Sequence, residues 1–201
     1  MENKKGWIGK LLTEFISVVF AVLLALGLNH WREANNDQEL AERALLNIFL
    51  EVYTNQKDVA DERLTYQERL KEVKVYKDSF DKGEPMKYSL GFNMPMLSDA
   101  AWNVANSTGA IKDFDQDLLL ELSSIYAFQN MFQRNGMEYM QHMNTVEFKK
   151  SENAKAIVDS NYGQLKTFEN WSLILSDTYL SFIKIYGPKY QELLPDSVIF
   201  D

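Results

Sequence analysis

The run FISVVFAVLLALGL, residues 15–28, is an unbroken apolar stretch without a charged residue, close to the start of the 201-residue chain. From Leu11 to Trp31 a helix would be roughly 32 Å long at about 1.5 Å per residue. This length matches a bilayer hydrocarbon core of about 30 Å. The sequence therefore predicts a transmembrane helix at 11–31, preceded by a short cytoplasmic N-terminus at 1–10.

Amphipathic and ionisable residues flank this segment. Trp7 and Trp31 bracket it where the two membrane interfaces would lie, and the indole ring is suited to the headgroup layer. Glu14 follows Lys10 by one helical turn, so the two charges can pair near the first interface. An ionisable residue inside a membrane can also belong to an ion or proton pathway, which makes Glu14 a candidate functional residue.

A cleavable signal peptide is the alternative for the same segment. Lys4 and Lys5 form a positive start, and Ala-Leu-Gly at residues 25–27 resembles a small-residue cleavage site. A retained helix is favoured because the apolar stretch extends back to Leu11 and the residues after it continue without a turn signal. Lysines before the segment slightly outnumber the arginines soon after it, which predicts a cytoplasmic N-terminus.

A ridge of small and polar side chains follows one face of the predicted span. Ser17, Ala21, Ala25 and Asn29 recur every four residues, whereas bulky side chains occupy the other faces. Small residues at this spacing let two membrane helices approach closely. Ala and Ser are also common in spans that pack against nothing. We predict that the ridge packs against a second copy of the chain or against a partner membrane protein.

The residues after the span predict one long helix. From Asn29 to Lys82 the chain has no glycine or proline and is rich in helix-forming residues. A heptad line along it is mostly apolar: Leu45, Val52, Val59, Tyr66, Val73 and Phe80. The companion line is apolar only at intervals: Phe49, Gln56, Arg63, Leu70 and Lys77. Such a broken seam favours packing within a bundle over an isolated coiled coil. Gly83 and Pro85 predict where this helix ends.

Three further helices are predicted after a loop at 84–97. Capping residues and apolar periodicity place them after Ser98, after Asp113 or Asp115, and from Gly163 to Tyr186, the last one following a polar break at 151–161. The sequence thus predicts an all-α fold in which the transmembrane helix continues into a long helix. An antiparallel helical bundle would form the extracytoplasmic domain, residues 32–201.

No motif for catalysis, phosphate binding, a cofactor or a metal is recognisable in the sequence. The chain has no cysteine, and its net charge of −8 without a basic cluster predicts no nucleic-acid partner. Glu138 and His142 lie one helical turn apart, but no third ligand is spaced to complete a metal site. Met137, Met140 and Met143 follow at helical spacing and are interpreted as core residues rather than an adaptable docking surface.

Two stretches carry a resemblance, LLTEFISVVFAVLLALGLNHWREANN and AAWNVANSTGAIKDFDQDLLLELSSIY. They resemble a family of uncharacterised single-span bacterial envelope proteins, known as a domain of unknown function. The shared features fall here on Glu14, Asn29, Trp31, Thr108 and Gly109. The chain departs from the family pattern at His30 and in its methionine-rich helix. The resemblance implies a single-pass protein of the bacterial inner membrane with a periplasmic domain, and it implies no activity.

The predicted function is therefore non-enzymatic. The chain would be a membrane-anchored helical protein that acts as an oligomeric scaffold or as an accessory subunit of an envelope complex. Its contacts would be the lipid bilayer and either a second copy or a partner membrane protein. Two alternatives stay open: an extracytoplasmic sensor that binds a small ligand between helices, and an ion-conducting oligomer lined by Glu14, Ser17 and Asn29.

Overall fold

A computed structural model of the chain describes residues 3–84, 86–145 and 151–190, with the backbone alone at 3–13, 151, 189 and 190. The α-helices in these ranges are α1, Asn3–Asp81; α2, Ala100–Thr108; α3, Gln116–Met143; and α4, Ala154–Tyr190. Short 3-10 segments, Ala110–Asp113 and Ser151–Asn153, precede α3 and α4. No strand occurs within the described ranges, and the predicted all-α fold is confirmed.

The first helix is long and only its later part belongs to the bundle. α1 has 79 residues, which corresponds to a length of about 118 Å. All side chains of residues 14–36 are exposed, whereas one face of α1 is buried from Ala41 onward. The exposed part contains a segment long and apolar enough to cross a membrane, and none of that segment is buried in the bundle. A signal sequence near an N-terminus has the same length and composition.

Gly83 ends α1 as predicted. Its φ of +76° is left-handed, a conformation that glycine adopts without strain from a Cβ atom. The amide of Gly83 donates to the carbonyl of Phe80, and the amide of Glu84 donates to the carbonyl of Ser79, both at 3.0 Å. This pair of bonds is a Schellman motif, which satisfies the last carbonyls of the helix. Pro85, the second predicted stop signal, lies outside the described residues.

α4 packs antiparallel to α1. The contacts pair early residues of α1 with late residues of α4: Phe49 with Phe182, Gln56 with Ser176, Arg63 with Glu169, and Lys77 with Asp159. The polar members of the broken heptad line therefore lie at the rim of this interface and bond across it. The apolar line is the core of the bundle, since Leu45, Val52, Val59, Tyr66 and Val73 are at most 5% exposed.

α3 runs parallel to α1, because Glu51 contacts Tyr126 and Asn55 contacts Gln129. α3 is consequently antiparallel to α4, so the predicted antiparallel arrangement holds for α4 and not for the pair of α1 and α3. A parallel pair needs a connection that runs the length of the bundle. Residues 86–99, which we call the return segment, contain no helix before Ala100 and provide that connection.

The start of α2 agrees in part with the prediction that Ser98 caps it. The residue before the helix is Asp99, whose side chain makes no capping bond, but the Ser98 hydroxyl accepts from the Ala100 amide at 3.3 Å. Glu51 of α1 adds to this cap, because its carboxylate accepts from the amides of Ala101 at 2.9 Å and Trp102 at 3.4 Å. A negative charge at a helix N-terminus is stabilising. α2 is thereby held against the middle of α1.

The N-cap residue of α3 is Asp115, which is one of the two residues predicted for this position. The Asp115 carboxylate accepts from the amide of Leu118 at 2.9 Å. α4 begins at Ala154, so the polar break predicted at 151–161 is wrong for most of its length. The polar residue Asp159 in this stretch faces a partner rather than a loop, because it forms a salt bridge with Lys77 at 2.7 Å.

The end of α4 also differs from the prediction, which placed it at Tyr186, before Gly187 and Pro188. The helix contains Pro188 and continues to Tyr190. Proline removes the hydrogen bond from its own nitrogen to the carbonyl four residues earlier, here that of Lys184. Only the last turn of α4 loses a bond in this way, so the helix is weakened there and not terminated before Gly187.

Candidate functional site

The predicted packing ridge lies on a free face of α1. Ser17, Ala21, Ala25 and Asn29 are all exposed and share one side of the helix. At about 100° per residue, Ser17, Ala21 and Ala25 lie about 140–180° around α1 from the buried residue Ile48, and Asn29 lies about 100° from it. The centre of the ridge therefore points away from the bundle.

Glu14, Trp31 and Trp7 are the ionisable and aromatic residues that were predicted to flank the apolar segment of α1. Glu14 is exposed and lies one turn before Ser17, so it shares the side of α1 that carries the ridge. Trp31 is 65% exposed and lies three residues after the apolar run ends at Leu28. The backbone of Trp7 is helical, and its side chain lies outside the described residues. The structure thus brings Glu14 and the ridge together on one face.

A buried polar network, which the sequence did not predict, joins all the long helices. Asn55 of α1 is 1% exposed; its Oδ1 accepts from the Ser98 amide at 2.9 Å, and its Nδ2 donates to the Ser98 carbonyl at 2.7 Å. Gln129 of α3 also donates to that carbonyl, at 2.9 Å. The Tyr179 hydroxyl of α4 donates to Gln129 Oε1 at 2.6 Å. The network pins the return segment between the helices.

Two tyrosines of this region act as hydrogen-bond donors. Tyr126 donates to the Glu51 carboxylate at 2.7 Å, and Tyr179 donates to Gln129. Burial raises the pKa of both hydroxyls far above the ordinary tyrosine range. Both hydroxyls therefore remain protonated at any physiological pH, which suits a structural role.

The side chain of Glu62 places part of its carboxyl group in a buried position. Its Oε1 atom is buried and lacks a hydrogen-bond partner among the described residues. Burial raises the pKa of Glu62 above its ordinary value, because a charged carboxylate loses its hydration. A carboxyl whose pKa is higher in the folded state destabilises the fold once the pH rises through that pKa.

We therefore expect the substitution Glu62→Gln to stabilise the bundle near neutral pH and to lose this effect in acid, where the carboxyl is protonated in both states. The measurement is the free energy of unfolding of both proteins from about pH 3 to about pH 8, since an unfolded glutamate has a pKa of about 4.3. Glu68→Gln, at an exposed position of the same helix, is the matched control. If Glu62→Gln raised the free energy of unfolding by the same amount at every pH, this account of Glu62 would be contradicted.

A cavity of about 240 Å³ lies between α3 and α4. Its lining consists of Asn135, Glu138, Tyr139, His142, Gln164, Phe168 and Trp171. The Phe168 and Trp171 rings meet edge to face at 5.4 Å and 81°. The pair of Glu138 and His142 noted in the sequence thus lies at a cavity. Among the described residues no three His, Cys, Asp or Glu side chains group to hold a metal ion.

A second depression of about 280 Å³ lies where α1 leaves the bundle. Its floor includes the buried residues Leu45 and Leu118, and its rim carries the carboxylates of Glu42, Asp113 and Asp115. The Asp115 carboxylate already caps α3. This depression is therefore partly a consequence of the α3 start, and the cavity between α3 and α4 is the better candidate for a ligand site.

Comparisons with models of protein families, with curated proteins and with solved structures gave no match for this chain. The resemblance to single-span envelope proteins stays a prediction.

Proposed function

We propose that this chain is a non-enzymatic, single-span membrane protein that serves as an oligomeric scaffold or as an accessory subunit of an envelope complex. The observation that carries the proposal is the exposure of the apolar part of α1. Phe15, Phe20 and Leu23 are 67%, 66% and 62% exposed, although each would favour an apolar environment. Removing apolar surface from water contributes about 25 cal/mol per Å². Lipid and neighbouring helices supply that environment.

The proposed topology follows from the charges and from the continuity of α1. With residues 11–31 in the bilayer, the lysine-bearing N-terminus lies in the cytoplasm and Trp31 lies at the outer interface. The bundle then stands outside the membrane, which is the bacterial inner membrane in this proposal. Because α1 is one helix from the span into the bundle, rotation or displacement of the span is transmitted to the bundle without a hinge.

The ridge is the proposed assembly surface. Lipid tails are as apolar as leucine, so membrane helices associate through close packing and interhelical hydrogen bonds. Ala21 and Ala25 permit close packing, and Ser17 and Asn29 offer hydrogen-bonding groups at either end. Since the ridge faces away from the bundle, two spans can pack through it with their bundles on the outside.

Single-cysteine variants test this surface, because the natural chain has no cysteine. In native membranes treated with an oxidant, we expect Ala21→Cys to form disulfide-linked dimers. A disulfide needs Cβ atoms about 3.5–4.5 Å apart, which only facing positions reach. Leu23→Cys is the control at nearly the same depth, since Leu23 lies about 160° around the helix from Ala21.

Cross-linking at Leu23→Cys that equals or exceeds cross-linking at Ala21→Cys would contradict the ridge as the self-packing face. An ion-conducting oligomer, the alternative that uses Glu14, Ser17 and Asn29, makes a different prediction. It requires conductance across a planar bilayer containing the purified protein, with a change on Glu14→Gln. The scaffold proposal expects no conductance.

A further inference from the structure

Three aromatic residues, Tyr139, Phe168 and Trp171, are part of the lining of the cavity between α3 and α4. Phe168 is 1% exposed and is held by the rings around it, including Tyr139 at 6.4 Å. The Tyr139 hydroxyl accepts a hydrogen bond from Asn161 at 2.7 Å, which fixes the ring. Trp171 is half-buried and packs its ring against Phe168. Phe168 and Tyr139 are almost fully buried, so they hold Trp171 in position, and Trp171 offers the accessible ring surface.

The polar part of the lining favours positive charge. Glu138 contributes a carboxylate, neither lysine nor arginine lines the cavity, and the other polar side chains of the lining are Asn135, Gln164, His142 and the Tyr139 hydroxyl. Asn135 donates one N–H of its amide to the Met131 carbonyl at 2.7 Å, which leaves its oxygen and its second N–H for other partners. The amides can offer either an acceptor or a donor, so the preference for a cation rests on the Glu138 carboxylate, which attracts a cation and repels an anion.

The type of cation follows from the aromatic rings and the size. The face of an aromatic ring carries negative electrostatic potential, and tryptophan attracts cations most strongly. A methylated ammonium is weakly hydrated and presents methyl groups that pack on rings, whereas Na⁺ and K⁺ would have to lose tightly held water. A cavity of about 240 Å³ holds an ion of this kind with room for a short side chain.

We propose that this cavity binds a small quaternary ammonium compound, with Trp171 as the principal aromatic wall and Glu138 as the counter-ion. The inference concerns the bundle alone. It is independent of how the span assembles.

Choline is the probe, titrated calorimetrically into the full-length protein in a maltoside detergent, which contains no ammonium headgroup. Its neutral isostere 3,3-dimethylbutan-1-ol, in which carbon replaces the nitrogen, is the matched ligand control. We expect saturable choline binding that is about tenfold tighter than binding of the isostere, because only choline gains the cation–π and ionic attraction.

Glu138→Gln should weaken choline binding about three- to fivefold, and it should leave unfolding unchanged because Glu138 is exposed. Glu68→Gln on α1 removes the same charge elsewhere and should leave binding unchanged. Trp171→Leu should abolish binding, while Trp171→Phe, which keeps a ring, should retain weaker binding. Equal affinity for choline and the isostere, equal effects of the two Glu→Gln changes, or the lack of saturable binding would each overturn the proposal.

Discussion

Replacing Phe168 with alanine is expected to lower the free energy of unfolding of the bundle by about 3–5 kcal/mol. Phe168 is 1% exposed, and five rings surround it at centroid distances from 4.7 to 6.4 Å. These rings belong to Tyr66, Phe92, Phe132, Tyr139 and Trp171, and they come from α1, the return segment, α3 and α4. Removal of the side chain leaves a void that rings fixed on four sides cannot fill.

The measurement is urea unfolding of the full-length protein in detergent, followed by circular dichroism. We expect the apolar N-terminal part of α1 to stay helical in the micelle, so that the transition reports on the bundle. Phe168→Leu keeps most of the volume and should cost less than about 1.5 kcal/mol. Ile174→Ala, at a 45% exposed position of the same helix, should stay within about 0.5 kcal/mol. A loss for Phe168→Ala as small as that of Ile174→Ala would contradict the described core.

Replacing Asn55 with alanine is expected to lower the same free energy by about 2–4 kcal/mol. The side chain makes three hydrogen bonds, two to the backbone of Ser98 and one to Gln129 at 3.2 Å. Its loss leaves the Ser98 amide without its acceptor and releases one side of the return segment. Asn47→Ala, at an exposed position of α1, provides the control and should have little effect.

The two variants separate two sources of stability. Phe168→Ala removes apolar packing, whereas Asn55→Ala removes a polar anchor with a small loss of volume. If Asn55→Ala cost no more than Asn47→Ala, the return segment would be held by its apolar contacts alone. The position of α2 would then depend on Glu51 rather than on the network.

The length of α1 and its C-terminal end could be predicted because they depend on local signals. The residues from Asn29 to Lys82 include no helix breaker, and Gly83 supplies the left-handed residue that a Schellman motif needs. The apolar heptad line was also sufficient to identify the buried face of α1. Local propensity and periodicity therefore account for α1 as a single long helix.

The interactions between distant residues could not be predicted in the same way. Asn55 and Gln129 are polar residues on amphipathic helices. The sequence alone does not distinguish such buried polar residues from solvent-exposed ones. Their partner, the backbone of Ser98, lies in a segment without periodicity. Asp159 was interpreted as part of a polar break because its partner Lys77 lies on another helix.

The ridge could be predicted from the sequence only in part. Its spacing every four residues was visible in the sequence, but its direction relative to the bundle was not. That direction follows only if α1 is unbroken from Ser17 to Val52, because a single kink would rotate the span. The continuity of α1 thus turns a pattern of small residues into a surface that faces away from the bundle.

The most direct test of the proposed function is native mass spectrometry of the full-length protein, released from its own membrane in a mild detergent. The proposal predicts either an integer multiple of the chain mass or a defined complex with a second membrane protein. The double variant Ala21→Leu, Ala25→Leu should lose that assembly, because two bulky side chains prevent close approach at the ridge. A monomer without a bound protein, or an assembly that the double variant leaves intact, would contradict the proposal.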